Sequence, residues 1–121
     1  MFMNKETAKI RMDKEQALFE KISEKLSGKH RHVAPGKMMS APGIRYKNKV
    51  FAFYAKKEMI FRLGKAFRPE DFNIKSFSLL SPFKSKPPLA GWFQIPYAEN
   101  RKWEKLARRA LDLMTRERDK K

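Results

Sequence analysis

The apolar residues near the start of the chain recur at helical spacing. Leu18, Ile22 and Leu26 follow one another every four residues, which places them on one face of an α-helix. Asp13 precedes this stretch, and Gln16 lies three residues after Asp13, which is the spacing of a helix-capping box. The pattern predicts a helix over about residues 14–27.

A second helical pattern lies near the other end of the chain. Its apolar members are separated by three or four residues, the period of an amphipathic helix: Trp103, Leu106, Ala107, Ala110, Leu111 and Met114. We predict a helix over about residues 98–117. Trp92 and Trp103 are both interpreted as core anchors.

Between these two helices the pattern changes to short apolar segments with strand character. Four of them are expected at 37–41, 43–46, 49–55 and 59–63, and two shorter ones at 77–80 and 92–95. The close spacing of the first four permits only hairpin connections, so their pairing must be antiparallel. The predicted fold class is therefore α+β, an antiparallel β-meander of four to five or more strands flanked by an N-terminal and a C-terminal helix.

Strand register decides which side chains face the core. A two-residue turn at Lys47 and Asn48, with Asn48 at positive φ, and a three-residue loop at 56–58 would place Phe51, Phe53 and Phe61 on one buried face. The opposite face would then be mixed in character. Its apolar members form a candidate homodimer interface: Val50, Ala52, Tyr54 and Ile60.

Composition limits the classes of protein that fit. The chain has 121 residues, 41% of them hydrophobic, and no cysteine, which excludes disulfides, thiolate metal sites and cysteine nucleophiles. No apolar run has the length of a membrane span, and the start has no signal-peptide core, so no membrane contact and a cytoplasmic location are expected. We predict a flexible leader over 1–12, one domain over 13–117 and a basic tail over 118–121.

Positive charge is concentrated in the middle of the chain. The net charge is +16, and residues 29–69 hold eleven lysines and arginines against one acid, Glu58. Such an excess can attract a polyanion. The candidate contacts are Lys29, Arg31, Lys37, Arg45, Lys47, Lys49, Lys56, Lys57 and Arg62. Because the two lysine turns fall at opposite ends of one strand and residues 30–32 form a separate loop, we expect a diffuse positive field that binds nucleic acid weakly.

The sequence offers no constellation for catalysis or for a cofactor. His30 and His32 have a spacing that could bind a metal, but lysines and arginines surround them, and no cysteine is available. The acids alternate with basic residues in the helices, as on an ion-paired surface, and no nucleophile elbow or glycine-rich phosphate loop occurs. We predict no catalytic, cofactor-binding or metal-binding residues.

The segment from Gly36 to Ala52, GKMMSAPGIRYKNKVFA, resembles the corresponding run of the TfoX N-terminal domain family, the Sxy-like small bacterial proteins related in shape to the YjbR-like group. Further similar segments follow in the same order: Met59–Leu63, Pro82–Phe83, Lys86–Pro88, Trp92–Pro96 and Trp103–Leu113. Met39, Ser40 and Asn48 depart from the family pattern. The resemblance implies an α+β fold with a curved antiparallel sheet and regulatory association, which in the founding members concerns competence-gene transcription; it implies no active site.

Three functional hypotheses follow. The first is a non-enzymatic cytoplasmic domain that acts in regulation by association with a protein partner, whose identity the sequence does not give. The second is a nucleic-acid-binding protein without sequence preference, which would use its basic surface. The third is a small enzyme whose site carries no familiar motif.

Overall fold

A computed structural model describes residues 13–80, 89 and 91–119 of the chain. The predicted leader 1–12, the proline-containing stretch 81–88 and the end of the predicted tail, residues 120–121, lie outside the described residues. The described elements are, in order, α1 (Lys14–Lys29), β1 (Val33–Met38), β2 (Ala41–Tyr46), β3 (Lys49–Ala55), β4 (Glu58–Arg62), a 3₁₀ turn (Pro69–Phe72), β5 (Ser78–Leu79), β6 (Trp92–Ile95), a second 3₁₀ segment (Tyr97–Lys102) and α2 (Trp103–Asp119).

The six strands form one antiparallel sheet in the order β1-β2-β3-β4-β6-β5. The first four strands are a meander, and β6 then adds beside β4 and separates it from β5. One helix precedes the sheet and one follows it, so the predicted α+β class is confirmed. Helix α1 packs against β1, whereas α2 packs over β3 and β4.

Helix α1 begins as its sequence predicts. The Asp13 side chain accepts a hydrogen bond of 3.0 Å from the Gln16 N–H, which satisfies a backbone donor at the helix start. Asp13 Oδ1 also accepts a bond of 3.3 Å from the Tyr54 hydroxyl in β3. This one carboxylate therefore caps α1 and joins it to the sheet.

Helix α2 begins at Trp103, later than the predicted start at about residue 98. Residues 97–102 form a 3₁₀ segment in which Glu99 departs from helical geometry. The Glu99 carboxylate accepts backbone N–H bonds from Lys75 and Ser76, at 2.8 and 2.9 Å. These bonds lower the pKa of Glu99 and fasten the segment before β5 to the start of α2.

The predicted three-residue loop at 56–58 is wrong. Ala55 pairs with Glu58, so the connection is a two-residue turn, and Lys56 and Lys57 both adopt the left-handed conformation, with φ of 52° and 66°. Asparagine and glycine favour such a turn, which explains why two lysines gave no signal for it. At the other hairpin the turn is where it was predicted, but Lys47 takes the positive φ of 56°.

A β-bulge in β3 changes the phase of the sheet faces. Ile44 pairs with Ala52 but Arg45 pairs with Val50, so Phe51 is the extra residue. Gly43 permits the close approach, because a Cβ at that position would lie 2.9 Å from the Ala52 carbonyl oxygen. A sequence pattern in which side chains alternate strictly between the two faces of the sheet does not reveal this inserted residue.

The bulge divides the apolar residues differently from the prediction. The face under the helices belongs to one buried cluster that includes Ile44, Phe51, Ala52, Tyr54, Met59, Phe61, Phe93 and Ile95. Phe53 and Ile60, which are opposite each other in β3 and β4, are buried outside that cluster. Four consecutive buried residues in β3 show that both faces of this strand are covered.

Strand β1 begins earlier than predicted. It spans Val33–Met38 and passes through Pro35 and Gly36, while Met39 and Ser40 form the turn to β2. Proline is accepted here because β1 lies at the edge of the sheet and needs hydrogen bonds on one side only.

Replacing Lys56 by Asn and Lys57 by Gly should stabilise the fold. In the left-handed region, residues other than glycine cost about 1–2 kcal/mol each, and the change reduces this cost. Glycine offsets part of the gain, because it loses more backbone entropy on folding than other residues do. We expect the free energy of unfolding in urea to rise by about 1 kcal/mol. A decrease would contradict the two-residue turn, and the valine pair at the same positions should be destabilising.

Tyr54 should titrate unusually late. Its burial, followed by the negative charge and hydrogen bond of Asp13, raises the pKa of Tyr54 to about 12. Because the unfolded value is near 10, the stabilisation from the neutral phenol is present below about pH 10 and is lost as pH rises from there to about 12. The phenolate absorbance that disappears in Tyr54→Phe measures this pKa.

The matched variant is Asp13→Asn, which keeps a capping side chain and removes the charge. It should lower the pKa of Tyr54 towards 10. A wild-type Tyr54 that ionises near 10 in the folded protein would show that the phenol is not held as described.

Candidate nucleic-acid interface

The loop after α1 and the turn after β2 meet at one end of the sheet. Helix α1 ends at Lys29, and the His30 N–H bonds the Leu26 carbonyl oxygen at 3.1 Å. His32 then adopts φ of 68° and directs the chain into β1. The Lys47 N–H donates to the His32 carbonyl oxygen at 2.7 Å, so the predicted separation of loop and turn is wrong.

This meeting gathers basic residues from three elements, and we name the group the basic corner: Lys29, His30, Arg31, His32, Arg45, Lys47 and Lys49. All are exposed except Arg45, which is half-buried. Among the described residues, none of them forms a salt bridge with a carboxylate. The charges of its lysines and arginines are therefore available to a ligand.

Arg45 is the member that the fold holds in place. Its Nε donates to the Pro35 carbonyl oxygen at 3.1 Å, and its Nη1 donates to the Lys47 carbonyl oxygen. Gly36 makes room for the Arg45 stem, since a Cβ there would lie 3.0 Å from Arg45 Cδ. Arg45 thus ties β1 to the turn while it keeps its charge at the corner.

The nine cations predicted as polyanion contacts fall into three groups. Lys29, Arg31, Arg45, Lys47 and Lys49 belong to the basic corner. Lys37, Lys56 and Lys57 lie towards the opposite ends of the strands, as the prediction for the two turns requires. Arg62 donates to Glu117 of α2 at 2.7 Å, so its charge is already matched.

Two open grooves adjoin the corner. One, of about 680 Å³, is lined by His32, Ala34, Arg45 and Lys47 among others. The second, of about 840 Å³, is lined chiefly by Lys49, Val50, Arg62, Trp92, Met114 and Glu117. Asn48 lines both grooves, and so the two grooves meet at the turn.

Trp92 is the residue whose role the sequence reasoning missed. Trp103 is fully buried, as predicted, but Trp92 is half-buried and forms part of the second groove. Its ring contacts Phe53 with a centroid distance of 5.8 Å. The signal was present, because Phe93 and Ile95 alternate with Trp92 and Gln94, and only one of these pairs can face the helices.

The four residues proposed for a dimer interface do not share one surface. Ala52 and Tyr54 lie under the helices, with exposures of 0% and 8%, and the Tyr54 ring packs on Phe19 at 5.6 Å. Ile60 is buried on the other side of the sheet, and Val50 lines the second groove. The bulge at Phe51 separates Val50 from Ala52 and Tyr54, and the two-residue turn at Lys56 and Lys57 places Ile60 on the opposite face from Tyr54.

On the helical side of the molecule, carboxylates form ion pairs with neighbouring cations. Glu104 pairs with Lys25 at 2.8 Å and with Arg108, and the hydrogen bond from Lys25 is the main reason why the pKa of Glu104 is lowered. In the part of the chain that the structure describes, no three histidine, aspartate or glutamate side chains come together as metal ligands. Neither α1 nor α2 carries an apolar stretch that could cross a bilayer.

Comparisons of this chain with known proteins identify no related protein. A scan of protein-family models, a search of curated proteins and a search of solved structures find no significant match to this chain.

Replacing Arg45 by Met should weaken the fold as well as the corner. Two carbonyl oxygens lose their donor, and we expect the free energy of unfolding to fall by about 1 kcal/mol. Lys49→Met is the control, because the same loss of charge there should change stability by less than about 0.5 kcal/mol. Equal stabilities in urea unfolding would contradict the structural role of Arg45.

Proposed function

We propose that this chain is a non-enzymatic nucleic-acid-binding domain whose basic corner contacts the phosphate backbone. The observation that supports the proposal is the convergence of the α1–β1 loop and the β2–β3 turn, fastened by the Lys47–His32 hydrogen bond. Phosphates are bound by cations that release counterions on contact, and the corner presents such cations without carboxylate partners among the described residues. We expect the ligand to be cytoplasmic nucleic acid.

The arrangement favours a local contact over a general attraction. Net charge alone would bind any polyanion at any part of the surface. On the helical side Glu99, Glu104 and Glu117 each pair with a cation, whereas residues 29–49, which span the corner, include no acid. The positive potential should therefore be strongest at the corner, and binding there should set the orientation of the ligand.

A second candidate function is association with a protein. The resemblance to the TfoX N-terminal domain family implies regulation by such association, and membership of that family remains our proposal. One observation favours it: Met39 is 71% exposed and lines, with Met38, Phe53, Ile60 and Leu80, a groove of about 310 Å³. An exposed apolar patch of this kind can bind a partner or a second copy of the chain.

Two double variants test where nucleic acid binds. Lys47→Gln with Lys49→Gln removes two charges at the corner, and Lys56→Gln with Lys57→Gln removes two charges at the opposite end. Affinity for a labelled DNA strand of about 16 nucleotides is measured between about 50 and 200 mM salt. The corner variant should reduce the salt slope by about 1–1.5, since each lost phosphate contact removes about 0.7, and the control should leave it nearly unchanged.

Equal losses in the two variants would indicate a diffuse field and contradict a local site. No binding at about 50 mM salt would reject the proposed function. A partner recovered from a nuclease-treated extract at both low and high salt would instead support protein association.

A further inference from the structure

The second groove combines an aromatic ring with Lys49 at the edge of the basic corner. Trp92 is half-buried in β6, and Phe53 supports its ring from β3. Lys49 lies at the start of β3, and Arg62 pairs with Trp92 in the β4–β6 register. An indole plane next to positive charge is the arrangement that single-strand-binding proteins use for base stacking.

The groove adjoins the proposed phosphate site at the β2–β3 turn. Asn48 separates Lys47 from Lys49 in the chain and lines both grooves. A strand whose phosphates lie at the corner could therefore pass the turn and place a base beside Trp92. The volume of about 840 Å³ is within the range of small-ligand pockets and is sufficient for one nucleobase.

The polar groups of the groove fit a base edge better than a phosphate. Arg62 is paired with Glu117 at 2.7 Å, so this end of the groove carries a carboxylate that would repel a phosphate. The same carboxylate can accept hydrogen bonds from base amino groups, and the Asn48 amide can both donate and accept. Phosphate contact should thus remain on the side of Lys47 and Lys49.

We propose that the groove lined by Trp92 binds an unpaired base, and that the preferred ligand of this chain is single-stranded nucleic acid. This inference rests on the proposed function and specifies its substrate class. In a duplex the base faces are covered by their neighbours, and a half-buried tryptophan at the wall of a groove cannot reach them. A single strand exposes its bases for stacking.

The test compares strand and duplex binding in the same chain. Wild-type protein is titrated with oligothymidylate, with oligouridylate and with a DNA duplex of equal length, and tryptophan emission is followed. Because Trp103 is fully buried, a change in emission on base stacking reports Trp92. We expect emission to change with the single strands and not with the duplex.

Variants at Trp92 separate stacking from charge. Trp92→Leu keeps apolar contact with Phe53 but removes the stacking plane, and it should lower the ratio of single-strand to duplex affinity about tenfold. Trp92→Phe should restore most of that ratio. Circular dichroism and thermal unfolding verify that each variant is folded, and the emission change in the wild type needs no variant.

The outcomes distinguish this inference from the function on which it rests. Equal binding of strand and duplex, with no change in wild-type emission, would overturn base stacking and leave phosphate binding at the corner intact. An unchanged affinity ratio in folded Trp92→Leu would overturn it as well. Failure of both forms to bind at about 50 mM salt would reject the proposed function itself.

Discussion

The hydrogen bond from the Lys47 N–H to the His32 carbonyl oxygen, 2.7 Å long, joins parts of the molecule that the chain itself keeps apart. It continues the β1–β2 pairing one step beyond Val33 and Tyr46. To make it, His32 and Lys47 both adopt positive φ, a conformation that costs energy for residues other than glycine. Together with the two backbone bonds of Arg45, this contact holds the α1–β1 loop against the turn and so brings the residues of the basic corner together.

The placement of charge follows from the same topology. Helices α1 and α2 carry seven of the thirteen acids. Among these, Glu104 pairs with Lys25 and Arg108, and Glu117 pairs with Arg62 of β4. The hairpin turns of the meander carry lysines where asparagine or glycine would fit the backbone better.

Periodicity predicted the elements that depend on local pattern. Helix α1 with its Asp13 cap, the apolar face of α2 and the antiparallel class of the sheet all follow from the spacing of residues such as Leu18, Ile22 and Leu106. The bulge at Phe51 could not be predicted, because it depends on how closely Gly43 lets β3 approach. That single insertion moved Ala52 and Tyr54 into the core. The corner was missed for a related reason, since a hydrogen bond between residues 32 and 47 has no sequence signature.

The most direct test of the basic corner is to map the nucleic-acid contact residue by residue. Backbone amide resonances of the labelled protein are followed while a short DNA strand is added. Shifts should concentrate at residues 29–32 and 45–49 and spare the turn at Lys56 and Lys57, which also carries two lysines but lies at the opposite end of the sheet. Shifts of similar size at both turns, or shifts centred on Lys56 and Lys57, would contradict a contact at the basic corner.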